Sequence, residues 1–260
     1  MRGVGSSAGE YNVMPTPTPS REVELSTAGL GGIDGCPAGW LLARTSAGTA
    51  VVSTGVFGTF AELLDENPDL AIITIDIPIG LTLAGPRPTD SAARALLGPR
   101  ASSVFPAPVR AALDAVSYQD ASDRSFAVHG KRLSKQTFAI LPKIREVDIA
   151  LRIRPRDAER VREVHPEVSF CVLNNDEPMV HPKRTGLGFT ERLTLLEAHY
   201  PGAFELSRRT HTRRVAADDD ILDALAALWT AGRLHSRQAR AIPEGAVAFD
   251  SVGLPMAIWA

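Results

Sequence analysis

Gly31-Gly32-Ile33-Asp34-Gly35-Cys36-Pro37-Ala38-Gly39-Trp40 sets one carboxylate at the end of an apolar run and follows it with a tight turn. Gly, Asp and Pro are turn residues, each for its own backbone reason. A second apolar run, Trp40-Leu41-Leu42-Ala43, then leads away. The stretch therefore reads as two strands, Leu30 to Ile33 and Gly39 to Arg44, joined by a short reversal. Thr49 to Val56 is rich in Val and Thr and reads as a third strand. Such short connections predict an antiparallel meander.

Downstream, Phe60 to Leu64 predicts a turn or two of helix. Leu70-Ala71-Ile72-Ile73-Thr74-Ile75 is nearly all apolar, as expected of a strand buried on both faces. It runs into Asp76-Ile77-Pro78-Ile79-Gly80, where Pro78 cannot donate to a mid-sheet ladder. Helices are expected over Thr89 to Leu97, Pro108 to Val116, Tyr118 to Val128 and Lys135 to Ile153, the last with Pro142 as a kink or late start. Arg160 to Val164 alternates like a strand, and Pro166 suits the first position of a helix ending at Leu173. A polar loop over 174–188 precedes a helix from Thr190 to His199. Asp219 to Leu234 is the strongest helix, with Ile221, Leu222, Leu225, Leu228 and Trp229 on one stripe. Ala246 to Phe249 reads as a last edge strand. The order predicts an α/β fold with a mixed sheet, its domain spanning 28–260 with a helical insertion over about 81–155.

Residues 1–27 crowd Gly, Ser, Thr and Pro together, including Pro15-Thr16-Pro17-Thr18-Pro19, and read as a disordered N-terminal tail. The chain has 260 residues, 44% of them hydrophobic and 22% charged, the balance of an ordinary globular protein. No apolar run approaches the roughly 20 residues that span a bilayer, and no basic start with an apolar stretch marks a secretory signal. Cys36 and Cys171 have neither CxxC nor metal-ligand spacing. A cytoplasmic protein with reduced thiols and no membrane partner is the expectation. The net charge of −2 excludes a broadly basic nucleic-acid-binding domain, so any such surface is local.

Asp34 and Asp76 share a grammar: each ends an apolar strand and each precedes a Gly or Pro turn. If the first and fourth strands are parallel neighbours, joined through the helix near Phe60, the two carboxylates emerge side by side. Asp220 and Asp223, three apart, lie on one face of the closing helix and could face them. Each also has a structural reading. Asp34 and Asp76 could form turns, and Asp218, Asp219 and Asp220 could cap the helix and complement its dipole. Glu167, in a helix's first turn, has the same dipole explanation. Asp223 sits a full turn inside the helix, beyond the reach of a cap. Grouped carboxylates raise one another's pKa unless a cation neutralises them. Mg²⁺ and Mn²⁺ suit oxygen ligands and substrate phosphate, which points to metal-assisted phosphoryl hydrolysis. Arg100, Ser102 and Ser103 lie in a loop able to grip a phosphate. The basic run Arg208, Arg209, His211, Arg213, Arg214 could hold a nucleic-acid backbone or stand as solvated charge.

Gly32-Ile33-Asp34-Gly35, together with Asp220-Ile221-Leu222-Asp223-Ala224-Leu225-Ala226, resembles the ribonuclease H-like superfamily, close to RuvC-type Holliday-junction resolvases. From about 28 to 235 the chain is similar to the DUF429 family, described as predicted RNase H-like nucleases. Arg100 to Phe105, Leu133-Ser134-Lys135-Gln136 and Glu163-Val164-His165-Pro166-Glu167 add to the likeness. The resemblance implies a five-stranded mixed sheet, order 3-2-1-4-5, flanked by helices. It implies Asp34, Asp76, Asp220 and Asp223 as catalytic metal ligands, Glu167 as a further catalytic residue, Mg²⁺ or Mn²⁺ as cofactor, and DNA or RNA as partner. Fold alone does not fix activity. A non-catalytic nucleic-acid-binding or scaffold protein of the same fold is the alternative, and an actin-like nucleotide phosphotransferase a further one.

Overall fold

A computed structural model describes residues 28–260, so the tail expected over 1–27 lies outside the described residues. Five strands form one mixed sheet: β1 (Gly29–Cys36), β2 (Gly39–Thr45), β3 (Val52–Phe57), β4 (Leu70–Ile75) and β5 (Val161–Glu163). Their order is β3-β2-β1-β4-β5, as expected. The first three pair antiparallel, whereas β1, β4 and β5 run parallel. The crossover from β3 to β4 is α1 (Phe60–Glu66), started by a capping box between Thr59 and Glu62. Between β4 and β5 come α2 (Pro88–Leu97), α3 (Tyr118–His129), α4 (Lys135–Ile153) and α5 (Pro155–Arg160). After β5 follow α6 (Pro166–Leu173), α7 (Gly186–Glu197), α8 (Ala203–Thr210) and α9 (Asp218–His235).

Strand alternation sorts side chains into two layers. Ile33, Trp40, Leu42, Ile73 and Ile75 pack with α1 and α4 on one face. Leu30, Cys36, Leu41 and Ala43 pack with the α6–α9 side on the other. Gly32 and Asp34 share the second face with Leu30 and Cys36, as does Thr74 on β4 with Asp76 just past its end. At Gly32 the α9 backbone comes so close that a Cβ would lie 2.0 Å from the Leu228 amide nitrogen and 2.3 Å from the Ala224 carbonyl oxygen. Thr74 Oγ1 adds a hydrogen bond to the Ala227 carbonyl at 2.7 Å. The alanines of α9 let it settle this closely.

Three sequence expectations are corrected. Pro108 to Val116 is not a helix and holds only a single 3₁₀ turn, Arg110–Ala112. The Leu113 and Ala115 carbonyls accept from the Arg145 guanidinium, at 2.7 and 3.0 Å, instead of from amides along a helix. The helix α4 has the expected bounds, and of the two readings of Pro142 its range leaves out the late start, since Ser134 is the N-cap and Pro142 lies inside. The Ala248–Phe249 segment pairs with Pro255–Met256 in a separate two-stranded ladder and adds no edge to the main sheet. The loop expected up to residue 188 gives way at Gly186 to α7, where Thr185 accepts from the Gly188 amide. The helix α8, whose last turn carries the first two arginines of the basic run, has no counterpart in the sequence reading, because only Ala203, Phe204 and Ser207 mark its inner face.

Gly32→Ala should cost about 3 kcal/mol or more, since backbone atoms cannot make room as side chains can. Gly232→Ala, on the same helix in open space, should instead gain about 0.5–1 kcal/mol. Urea unfolding of the two variants beside the wild type checks the contrast.

Candidate metal centre

The parallel strands end at one level. Ile33 is in register with Ile75, and the ladder continues with the Asp76 amide donating to the Ile33 carbonyl at 3.0 Å. Asp34 and Asp76 therefore leave the C-terminal ends of adjacent parallel strands on the α9 face, the usual position of a site in such sheets. Because Gly32 meets Ala224 and Leu228, α9 runs back along β1 toward its own N-terminus and delivers Asp223 to the same point. Asp34, Asp76 and Asp223 each offer a carboxylate oxygen, and these three atoms lie within 4.8 Å of one another. Asp34 and Asp223 are buried and Asp76 is half-buried.

The loop after Asp76 is braced rather than loose. Glu163 accepts from the Ile79 amide at 2.6 Å, and the buried Arg87 donates to the Ile79 and Gly80 carbonyls at 3.0 and 3.1 Å. Arg87 is itself paired with Glu163 and Asp90. Asp250 accepts from the Leu81 amide at 2.9 Å. The strand end carrying Asp76 is thus held by groups from α2, β5 and the C-terminal segment.

Burial pushes the Asp34 carboxyl well above the carboxylate range, with the Asp223 and Asp76 charges adding to the effect. Burial also raises Asp76 to about 7 and Asp223 to about 7, in both cases against a counteracting Lys183. Lys183 comes from the segment before α7. Its Nζ donates to Asp223 Oδ2 and stands 3.6 Å from Asp219 Oδ2. Burial opposes the lysine's charge, yet the Asp223 and Asp34 carboxylates hold its pKa above the ordinary value. Asp223 Oδ1, by contrast, is buried with no hydrogen-bond partner. Three convergent carboxylates with an orphaned oxygen fit a hard divalent cation, whose ligands are oxygens.

The other expected residues divide. Asp220 is not in the three-acid group: its Oδ2 accepts from the Ala217 amide at 2.7 Å, closing the first turn of α9. Its charge still raises Asp34. Glu167 stands near enough for its charge to raise Asp76 and Asp223. Both of its oxygens are gripped by Arg192, at 2.6 to 2.9 Å, inside the core. Arg100 Nε lies 3.9 Å from Glu167 and is buried with no hydrogen-bond partner. Ser103 Oγ donates to the Arg100 carbonyl at 2.7 Å, and Ser102 is exposed. In the basic run, Arg208 and Arg213 both pair with Asp218, while Arg209 and Arg214 are exposed. His165, the residue before α6, stands beside the acids, its Nδ1 buried without a hydrogen-bond partner and its pKa lowered by burial.

Lys183, Arg192 and Arg87 were not singled out in the sequence. Lys183 and Arg192 meet their acids only through tertiary contacts. Arg87 has one local signal, Asp90 three residues on.

The acids give a pH dependence of definite sign. Asp76 titrates at about 7 in the fold against an ordinary 3.8. Between those values the folded state keeps a proton that the unfolded state has lost, so this contribution is whole below about 4 and is lost as pH rises through about 7. Asp76→Asn lacks that loss. In chelator, its stability relative to the wild type should climb from pH 4 to above pH 7 by on the order of 1–3 kcal/mol, as read by urea unfolding.

Among the described residues no helix is long and apolar enough to cross a membrane. Comparison with curated proteins and with solved structures found no match. A family model does match, over residues 32–247, and its description is a protein of unknown function, DUF429. That span runs from within β1 to beyond α9 and includes Asp34, Asp76 and Asp223. The chain belongs to the DUF429 family.

Proposed function

We propose that the chain is a metal-dependent nuclease that hydrolyses phosphodiester bonds of DNA or RNA, with Mg²⁺ or Mn²⁺ as its ion. The observation that carries this reading is the meeting of Asp34, Asp76 and Asp223 within 4.8 Å. The strand order β3-β2-β1-β4-β5 supports it through the ribonuclease H-like resemblance.

In this reading Asp34, Asp76 and Asp223 hold the ion, and Asp220 stands at the rim with the oxygen that its cap leaves over. When bound, such an ion polarises a phosphoryl oxygen and lowers the pKa of a water. The protein's own groups do the remaining work. Arg100, with an unpartnered Nε beside Glu167, takes a phosphate oxygen, supported by Ser102 and Ser103 from the same turn. Glu167 is a positioning residue here: with both oxygens on Arg192, it fixes the start of α6 and with it His165. Arg209 and Arg214, exposed next to the N-terminus of α9, contact the polynucleotide backbone. A cytoplasmic location fits the two free cysteines, both buried.

The test is cleavage of labelled DNA and RNA with Mn²⁺ or Mg²⁺, beside Asp34→Asn. The variant should keep its circular dichroism and lose activity by about 100-fold or more. Equal rates in the two proteins would overturn the assignment, and binding without cleavage would favour the non-catalytic alternative.

A further inference from the structure

The lysine against the acids is not a surface chain that has drifted inward. The segment that carries it is anchored on both sides of the lysine. Glu191 accepts from the Val180 and His181 amides at 2.8 and 3.1 Å. Arg192 donates to the His181 carbonyl at 3.2 Å. Pro182 presents its carbonyl to the Thr185 hydroxyl at 2.8 Å and to the Thr185 amide at 3.0 Å. Gly188 is packed so tightly under Pro182 that a Cβ there would lie 2.1 Å from its carbonyl oxygen. A lysine on a backbone held this firmly brings its ammonium to Asp223 by construction.

The charge balance then limits what else can enter. Three ionised carboxylates against one ammonium leave two negative charges, which one divalent cation balances. A second divalent ion would face both the first ion and Lys183, with no carboxylate of the group left to offset it. Asp220 cannot freely take that role, because one of its oxygens is bound to the Ala217 amide. Asp219 is half-exposed at its side chain, so water weakens its contribution. The oxygens differ accordingly: Asp223 Oδ2 belongs to the lysine and Oδ1 is unpartnered.

We infer that this centre takes a single divalent cation, with the Lys183 ammonium standing where a second ion would otherwise sit. The inference rests on the metal reading above and narrows it. Lys183 then supplies the second positive charge to an anionic substrate, from a fixed position and without an exchangeable ion.

Counting bound Mn²⁺ tests this, by equilibrium dialysis with electron paramagnetic resonance of the free ion, on the full chain at neutral pH. The wild type should bind one ion. Lys183→Met should bind two, the first at least tenfold more tightly, because the repelling ammonium is gone. Lys183→Arg, which keeps the charge, should stay at one. Two ions in the wild type would overturn the inference while leaving the metal reading intact, whatever the variants do. One ion in a folded Lys183→Met would overturn it as well. No ion in the wild type would remove the metal reading and this inference with it.

Discussion

Everything in this molecule depends on one missing side chain. At Gly32 the strand has no Cβ, and the backbone of α9 occupies that space, with Leu228 and Ala224 closer than any larger residue would permit. Helix–sheet packing through side chains would hold α9 several ångströms farther from β1, out of reach of Asp34. The close approach is what turns two strand ends and a helix into a three-acid group. It also explains the alanines of α9: small residues are the condition for settling that closely. The Thr74 hydroxyl bonded to the Ala227 carbonyl locks the helix's position along the sheet.

A fold that brings three carboxylates together out of water works against its own stability, since burial favours their neutral forms. The protein answers in two ways. It places a cation among them, Lys183, on an anchored segment. It also stiffens the surroundings, with Glu163, Arg87 and Asp90 behind the Asp76 loop and Arg192 behind Glu167. Buried ion pairs of this kind add little net stability, because desolvation offsets their attraction. Their effect is geometric. They leave the strand ends few alternative positions, so the acids cannot relieve their repulsion by moving apart.

The sequence disclosed the parts of the site that rest on local pattern. Asp34 and Asp76 each end an apolar strand before a turn, and Asp223 stands too deep in its helix to be a cap. All three lie where that grammar places them. The spacing of Asp220 and Asp223 put both on one helix face, but the free Ala217 amide captures Asp220 first, a competition that face geometry does not express. Glu167 was equally open to a dipole reading, and its partner Arg192 lies on another helix. Lys183 lay in a stretch without periodicity, so nothing local marked it. In the fold, Pro108 to Val116 has helical composition, yet its carbonyls find a better donor in Arg145.

The order in which the acids appear along the chain has a consequence in time. Of the three acids, Asp34 leaves the ribosome first and Asp76 soon after, whereas Asp223 follows only with α9. Contacts so distant in sequence close late, after their loop entropy has been met. A growing chain folds from its N-terminus as it emerges, and the early sheet alone carries two acids with neither the third nor the lysine. No nascent chain that stops before Asp223 has the complete group. The group is complete only once α9 has been made, and a chain cut before α9 lacks its third acid.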